Sequence, residues 1–266
     1  VMAAVKVVLP WSTWPMVPML TWGLLLSYLA FAIFSFSYKN FYKMITYDLA
    51  SERKIHIIDD KTSPFVVTES FRKITTNIGF AIPKKEDGSG KIFCVTSAIA
   101  GEGKTTISVN LALSCAKSGA KTVLLDCDFR KPSVKRYFPS DNKKGVEAYL
   151  SGQTNFENIV YKDPSSWLDV IATMHCPPNP ISLLNSSGYD SLLEWLKQNY
   201  DYVIIDTPPL ALVSDASIIG QKTDGVIIVT RQMYSNHKVL KDVVNQLEFA
   251  KCNILGFILH DFAVSS

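Results

Sequence analysis

With 266 residues, 47% of them hydrophobic, the chain has the material for one large domain or two small ones, and a globular body is expected. A formal net charge of only +3, with Lys and Arg interspersed among Asp and Glu, argues against a nucleic-acid surface. Cys94, Cys115, Cys127, Cys176 and Cys252 are odd in number, widely spaced and without a Cys-x-x-Cys pair, which argues against a zinc site and reads as free thiols in a reducing compartment.

From Met19 to Ser37 there is no charged side chain, and about 19 residues of helix at roughly 1.5 Å each give about 28 Å, the thickness of a bilayer core. Trp11, Trp14 and Trp22 crowd one end and Tyr38, Phe41 and Tyr42 the other, as rings at headgroup depth do. Lys39, Lys43, Arg53 and Lys54 follow the stretch while only Lys6 precedes it, so its C-terminal side is expected in the cytoplasm. The stretch is too long for a signal peptide and lacks a small-residue cleavage site. A chain that opens on Val1 reads as a fragment or an engineered chain. The expected division is an extracytoplasmic stub with one transmembrane helix over 1–40, a juxtamembrane linker over 41–64, and a folded domain over 65–266 that begins after Thr62-Ser63-Pro64.

Glu69 to Phe80 has Phe71, Ile74 and Ile78 on one helical face, and Pro83 to Gly90 is a polar loop. Short apolar runs then alternate with helical stretches. The expected strands are Ile92 to Thr96, Thr122 to Leu125, Leu168 to Ala172, Tyr202 to Ile205, Gly225 to Thr230 and Ile254 to Leu259. Helices are expected over Lys104 to Ser118, Tyr189 to Tyr200 and Asn236 to Ala250. This βα order predicts an α/β fold, a doubly wound parallel sheet with helices on both faces.

Directly after the first of these strands comes Ala98-Ile99-Ala100-Gly101-Glu102-Gly103-Lys104-Thr105-Thr106, which fits G-x-x-x-x-G-K-[ST] except for Ala98 at the first glycine position. Gly101 and Gly103 let the backbone curl so that N–H groups point at phosphates, with the positive end of a helix behind them. Lys104 adds a mobile charge, Thr105 is positioned for a hydroxyl on magnesium, and Glu102 and Thr106 belong to the same cradle. The next strand ends in Asp126-Cys127-Asp128-Phe129-Arg130, and a later one in Asp206-Thr207-Pro208-Pro209. Three carboxylates at the C-terminal edge of a sheet, facing one phosphate loop, imply magnesium and hence Mg·ATP. Arg130 either pairs with these acids or caps its own loop.

From about Val66 to Phe262 the chain resembles the bacterial tyrosine kinases, P-loop enzymes that accompany polysaccharide chain-length regulators. The resemblance is carried by the phosphate loop, by Leu124-Leu125-Asp126-Cys127-Asp128-Phe129-Arg130-Lys131-Pro132, by Pro177-Pro178-Asn179-Pro180-Ile181-Ser182-Leu183-Leu184, and by Ile205 to Pro209 followed by Ser214-Asp215-Ala216. The preceding apolar stretch, reached through Pro10, Pro15 and Pro18, is similar to the end of the partner co-polymerase subunit, whose cytoplasmic tail activates the kinase in this family. Related partitioning and septum-site ATPases carry a lysine at the second loop position, where Ile99 stands here.

The resemblance implies autophosphorylation and phosphorylation of protein tyrosines by ATP with magnesium, within a homo-oligomeric ring at the inner or plasma membrane, with the kinase domain in the cytoplasm. It implies that Lys104 stabilises charge on the transferred group, that Thr105, Asp128 and Asp206 hold the metal, and that Asp126 is the general base, a role exchangeable with Asp128. Three departures stand out. Glu69 and Arg72 match the ring-assembly pattern, but Thr75 replaces its second arginine. A family asparagine near the end of the last strand is His260, beside the expected adenine position. The usual C-terminal tyrosine cluster is absent before Ser266, and Tyr137, Tyr149, Tyr161 and Tyr189 read as half-buried aromatics. These departures leave an ATP-dependent assembly switch with little phosphotransfer as the alternative function.

Overall fold

The computed structural model describes residues 6–10, 42–45, 57, 63, 65–83, 85–138 and 142–260. The expected membrane span at 19–37 lies outside them. Among the described residues no helix is long and apolar enough to cross a membrane.

The described strands form one sheet. Its parallel body runs β9 (Ile254–His260), β8 (Gly225–Arg231), β3 (Lys91–Ser97), β7 (Tyr202–Asp206), β4 (Thr122–Asp126) and β6 (Leu168–Ile171). Antiparallel strands close both margins: β5 (Val160–Lys162) beside β6, and β1 (Lys6–Pro10) with β2 (Tyr42–Ile45) beside β9. All six expected strands are present, whereas β1, β2 and β5 were not expected. They are three to five residues long, too short for a period-two pattern to stand out, and only a neighbouring edge makes them strands. β1 falls within the stretch expected as the extracytoplasmic stub, and its pairing with β2 brings residues 10 and 42 side by side. A single bilayer crossing between them would separate those residues by the membrane thickness.

Alternate residues of each parallel strand serve two apolar cores. Phe93, Val95, Leu124, Ile204, Ile227 and Val229 face α1 (Phe65–Ala81) and α2 (Lys104–Lys117). Cys94, Val123, Leu125, Val203, Ile205 and Ile228 face α5 (Ser187–Asn199), α6 (Asp215–Gln221) and α7 (His237–Phe249). Because both faces are covered, the central strands are apolar throughout.

α1 starts at Phe65, directly after the expected boundary at Pro64. α5 starts two residues before the expected Tyr189, since the Ser186 hydroxyl caps it by accepting from the Tyr189 N–H at 3.2 Å. Three short helices went unpredicted: α3 (Val146–Leu150), α4 (Pro180–Leu184) and α6. One to two turns carry too few positions for a 3.6-residue period.

Four of the five thiols are buried, and burial pushes the Cys94 and Cys115 thiols up to about 12, whereas Cys176 is exposed. In the native state one thiol per chain is therefore expected to react promptly with a chromogenic disulfide, and five after unfolding in denaturant. Prompt reaction of two or more thiols in the folded protein contradicts this packing.

Candidate nucleotide and phosphoryl-transfer site

Register brings the acids together. In the sheet Asp126 lies directly beside Asp206, and Asp206 beside Val95 of the strand that feeds the phosphate loop. The connections from β3 run towards β4 on one side and those from β7 towards β8 on the other, so the loop after β3 opens at the point where the winding reverses. The segment after Asp206 is laced to that loop by N–H groups of Leu210 and Ala211, which donate to the carbonyls of Ser97 and Ala98 at 2.9 and 3.0 Å.

Left-handed backbone in the loop falls on Gly101 (φ 90°) and Gly103 (φ 78°), not on Ala98. Ala98 therefore costs nothing at the position where the pattern has its first glycine. Space is tight at both, since a Cβ would stand 2.8 Å from the Tyr234 hydroxyl at Gly101 and 2.8 Å from His260 Nε2 at Gly103, so either side chain would have to shift. His260 itself meets the Glu102 carbonyl, so it braces the loop from behind, and it does not line the cleft. The Glu102 side chain turns away from the cleft: its buried carboxylate accepts from the Ile99 N–H at 2.8 Å and from the Ser235 hydroxyl.

Lys104 opens α2 and reaches Asp128 at 2.8 Å and Asp206 at 3.4 Å. Asp206, fully buried, also accepts from the Thr105 hydroxyl at 2.7 Å and the Ser108 hydroxyl at 3.0 Å. Burial opposes the Lys104 ammonium, yet the charges of Asp206 and Asp128 outweigh it and hold the pKa above its ordinary value. Burial pushes the Asp206 carboxyl up, and Lys104 and the Thr105 hydroxyl hold it back. Ser108 was not anticipated as a site residue, although a hydroxyl one helical turn after the loop lysine was a readable signal.

Asp126 and Asp128 are only two residues apart but have different surroundings. Asp126 is fully buried, and its two oxygens accept from the backbone N–H groups of Asp128 (3.0 Å) and Val134 (3.2 Å). Burial, with Asp206 beside it, pushes the Asp126 carboxyl well above the usual carboxylate range. It holds the loop that follows β4 and does not line the cleft, so the expected general base is the more enclosed of the two acids. Asp128 does line the cleft.

Arg130 forms a two-bond pair with Asp215 at the start of α6, at 2.9 and 3.0 Å, so of the two readings left open it pairs with an acid, though a different one. Asp215 is fully buried, while the guanidinium is about half in solvent. Arg130→Ala leaves that carboxylate buried without a counter-charge, and a loss of about 2 kcal/mol is expected, discounted for the exposed partner. Urea unfolding checks this, and a loss below about 0.5 kcal/mol means that water replaces the guanidinium freely.

The cleft measures about 440 Å³ and is lined by Ala100, Gly101 and Gly103 to Thr106 of the loop, by Asp128 and residues after it, and by Pro208, Pro209, Leu212 and Val213. At its wall the Tyr137 hydroxyl meets the Thr106 hydroxyl at 2.7 Å, a contact that sequence spacing did not predict. Tyr189 is fully buried, and Tyr137, Tyr149 and Tyr161 are half-buried. Among the described residues no set of three or more His, Cys, Asp or Glu is arranged to hold a metal alone. A hydroxyl with one or two carboxylates suits magnesium, which keeps several waters and binds mainly through substrate phosphates. Thr105 fits that use, since its proton is given to Asp206 and, of the two lone pairs on its oxygen, one accepts from Lys104 Nζ at 3.2 Å and the other is left over.

A family model described as an AAA domain matches residues 90–254. The tyrosine-protein kinase CpsD of Streptococcus agalactiae serotype Ia is 37% identical over 214 residues, which cover 80% of this chain and 90% of that one. The kinase domain of the Escherichia coli tyrosine kinase ETK superposes with a TM-score of 0.71 at 31% identity, over 79% of this chain and 80% of that one. The chimerical protein CapA2B2 superposes with a TM-score of 0.69 at 33% identity, over 76% and 86%.

Proposed function

The chain belongs to the bacterial tyrosine-protein kinases, and on that premise we propose that it moves the γ-phosphoryl group of ATP to tyrosine hydroxyls of neighbouring copies of itself, regulating the synthesis and export of a capsular or extracellular polysaccharide. The observation that carries this reading is the convergence of Lys104, Thr105 and Asp128 at one cleft with a glycine-bearing phosphate loop, and of Lys104 and Thr105 on the buried Asp206 behind it.

Magnesium, when bound, would neutralise phosphate charge, and Thr105 and Asp206 would supply the oxygen ligands it prefers, with Asp128 kept for the proton. Backbone N–H groups of Gly101, Glu102, Gly103, Lys104, Thr105 and Thr106 hold the phosphates at the positive end of α2. Without nucleotide, Lys104 spends its charge on Asp128 and Asp206. Turning it to the γ-phosphate stabilises the charge on the transferred group and releases Asp128. Asp128, rather than Asp126, then accepts the phenolic proton while the bond from phosphorus to the β–γ bridging oxygen breaks and a new one to the tyrosine oxygen forms. ADP leaves with the bridging oxygen.

Assembly into a ring, contact with a polysaccharide co-polymerase membrane subunit and location at the plasma membrane belong to the same proposal. The pair Glu69 and Arg72 on α1, 3.9 Å apart, supports the ring, and the uncharged stretch at residues 19–37 supports a membrane contact that leaves both of its ends on one side, as the pairing of β1 with β2 requires. Thr75, in place of the ring arginine, bonds Ser114 of its own chain at 3.3 Å, so that contact is turned inward and a weaker ring is expected. The decisive experiment supplies γ-labelled ATP with magnesium and looks for acid-stable label on tyrosine. Absence of phosphotyrosine, with oligomer mass by light scattering still responding to ATP, selects the assembly switch instead.

A further inference from the structure

Beyond the phosphate loop, the cleft is lined by two groups of residues that differ in chemistry. Lys131 and Arg136 line it, both exposed, and among the described residues neither makes an ion pair. The other cations of the cleft are committed, Lys104 to Asp128 and Asp206 and Arg130 to Asp215. Pro208, Pro209, Leu212 and Val213 give the same cleft an apolar ledge on which Leu212 is 68% exposed. Phosphates bind at the floor, against buried Lys104 and the loop N–H groups, so two solvated cations at the rim are not needed there. An aromatic ring needs an apolar support beside the floor, and exposed unpaired cations beside that support select for negative charge next to the ring.

Resting on the kinase reading above, we propose that the preferred acceptor is a tyrosine flanked by acidic residues, its ring on the ledge of Pro208, Pro209, Leu212 and Val213 and its neighbours paired with Lys131 and Arg136. Asp128, the proton acceptor of the reading above, lines the same cleft.

The test uses the whole chain with Mg·ATP and three short peptides, each with one central tyrosine flanked on both sides by Glu, by Ala or by Lys. At low salt the Glu peptide is expected to exceed the Ala peptide in kcat/KM by about tenfold, and the Lys peptide by more, with the preference shrinking as salt rises. The double variant Lys131→Glu with Arg136→Glu is expected to invert the order of the Glu and Lys peptides. Equal use of the three peptides by the native chain overturns the proposal and leaves the kinase reading standing. A double variant that raises the KM for ATP alike with every peptide also overturns it, because the two cations then hold nucleotide. Label on no peptide and none on the protein removes the kinase reading, and this proposal with it.

Discussion

Lys104→Met is expected to lower phosphotransfer by at least about a hundredfold, the scale on which removal of one preorganised charge acts on a transition state. The same change is expected to destabilise the fold. Lys104 is the cation facing Asp206 and Asp128, and its charge also bears on Asp126, so its loss leaves these buried carboxylates without compensation. Breaking a buried pair in this way costs about 3 kcal/mol. The loss should depend on pH in a stated direction. Burial already raises the Asp126 and Asp206 carboxyls above 3.8 in the folded state. A carboxyl raised on folding is no burden below its unfolded pKa and becomes one as pH rises towards its folded value. Without Lys104 that burden grows, so the deficit in Tm relative to the native chain should be small near about pH 4 and widen towards neutrality. Thermal unfolding across pH checks this, and a deficit independent of pH rules out the charge explanation.

Asp206→Asn is the second large effect, and its two readouts part company. It removes the proposed magnesium ligand and the carboxylate that takes the Thr105 proton, so a loss of activity of about a hundredfold or more is expected. Stability, however, should stay within about 1 kcal/mol of the native chain or rise, because the cluster holds more acid than base. Asp206 is one of the causes that push Asp126 upwards, and its removal relieves that neighbour. Lys104 keeps Asp128 at 2.8 Å, and the hydroxyls of Thr105 and Ser108 turn to donate or accept as the amide requires. Measured side by side, the two variants should both be inactive while only Lys104→Met is unstable. If Asp206→Asn unfolds as readily as Lys104→Met, the carboxylate is stabilising the fold and the account of an over-acidic cluster is wrong.

Where the sequence reading and the structure part, the cause is local. Each of the six parallel strands is an apolar run between turn signals and was readable. Strand β5 was not, because Val160-Tyr161-Lys162 acquires its conformation from the open edge of β6. Residues Asp126 and Asp128 illustrate the same limit at the site. Both sit at a strand end, and the two-residue spacing gives no means of telling which is enclosed. The difference arises because the chain after Asp128 curls back until the Val134 N–H reaches Asp126, closing it off. Arg130 found its acid 85 residues away in Asp215, at the start of a seven-residue helix too short to announce itself.

Sequence alone determined the P-loop, its lysine and threonines, the acids at the strand ends, and the parallel α/β class. Those features are written in contiguous residues or in a period of apolar positions, and local sterics and burial act on them directly. Tertiary structure decided which carboxylate faces the cleft, that His260 supports the loop from behind, that Glu102 turns inward, and that Lys131 and Arg136 share a cleft with Leu212. Each of those outcomes depends on strand register and on hydrogen bonds between residues far apart in the chain, whose formation no short stretch of sequence encodes.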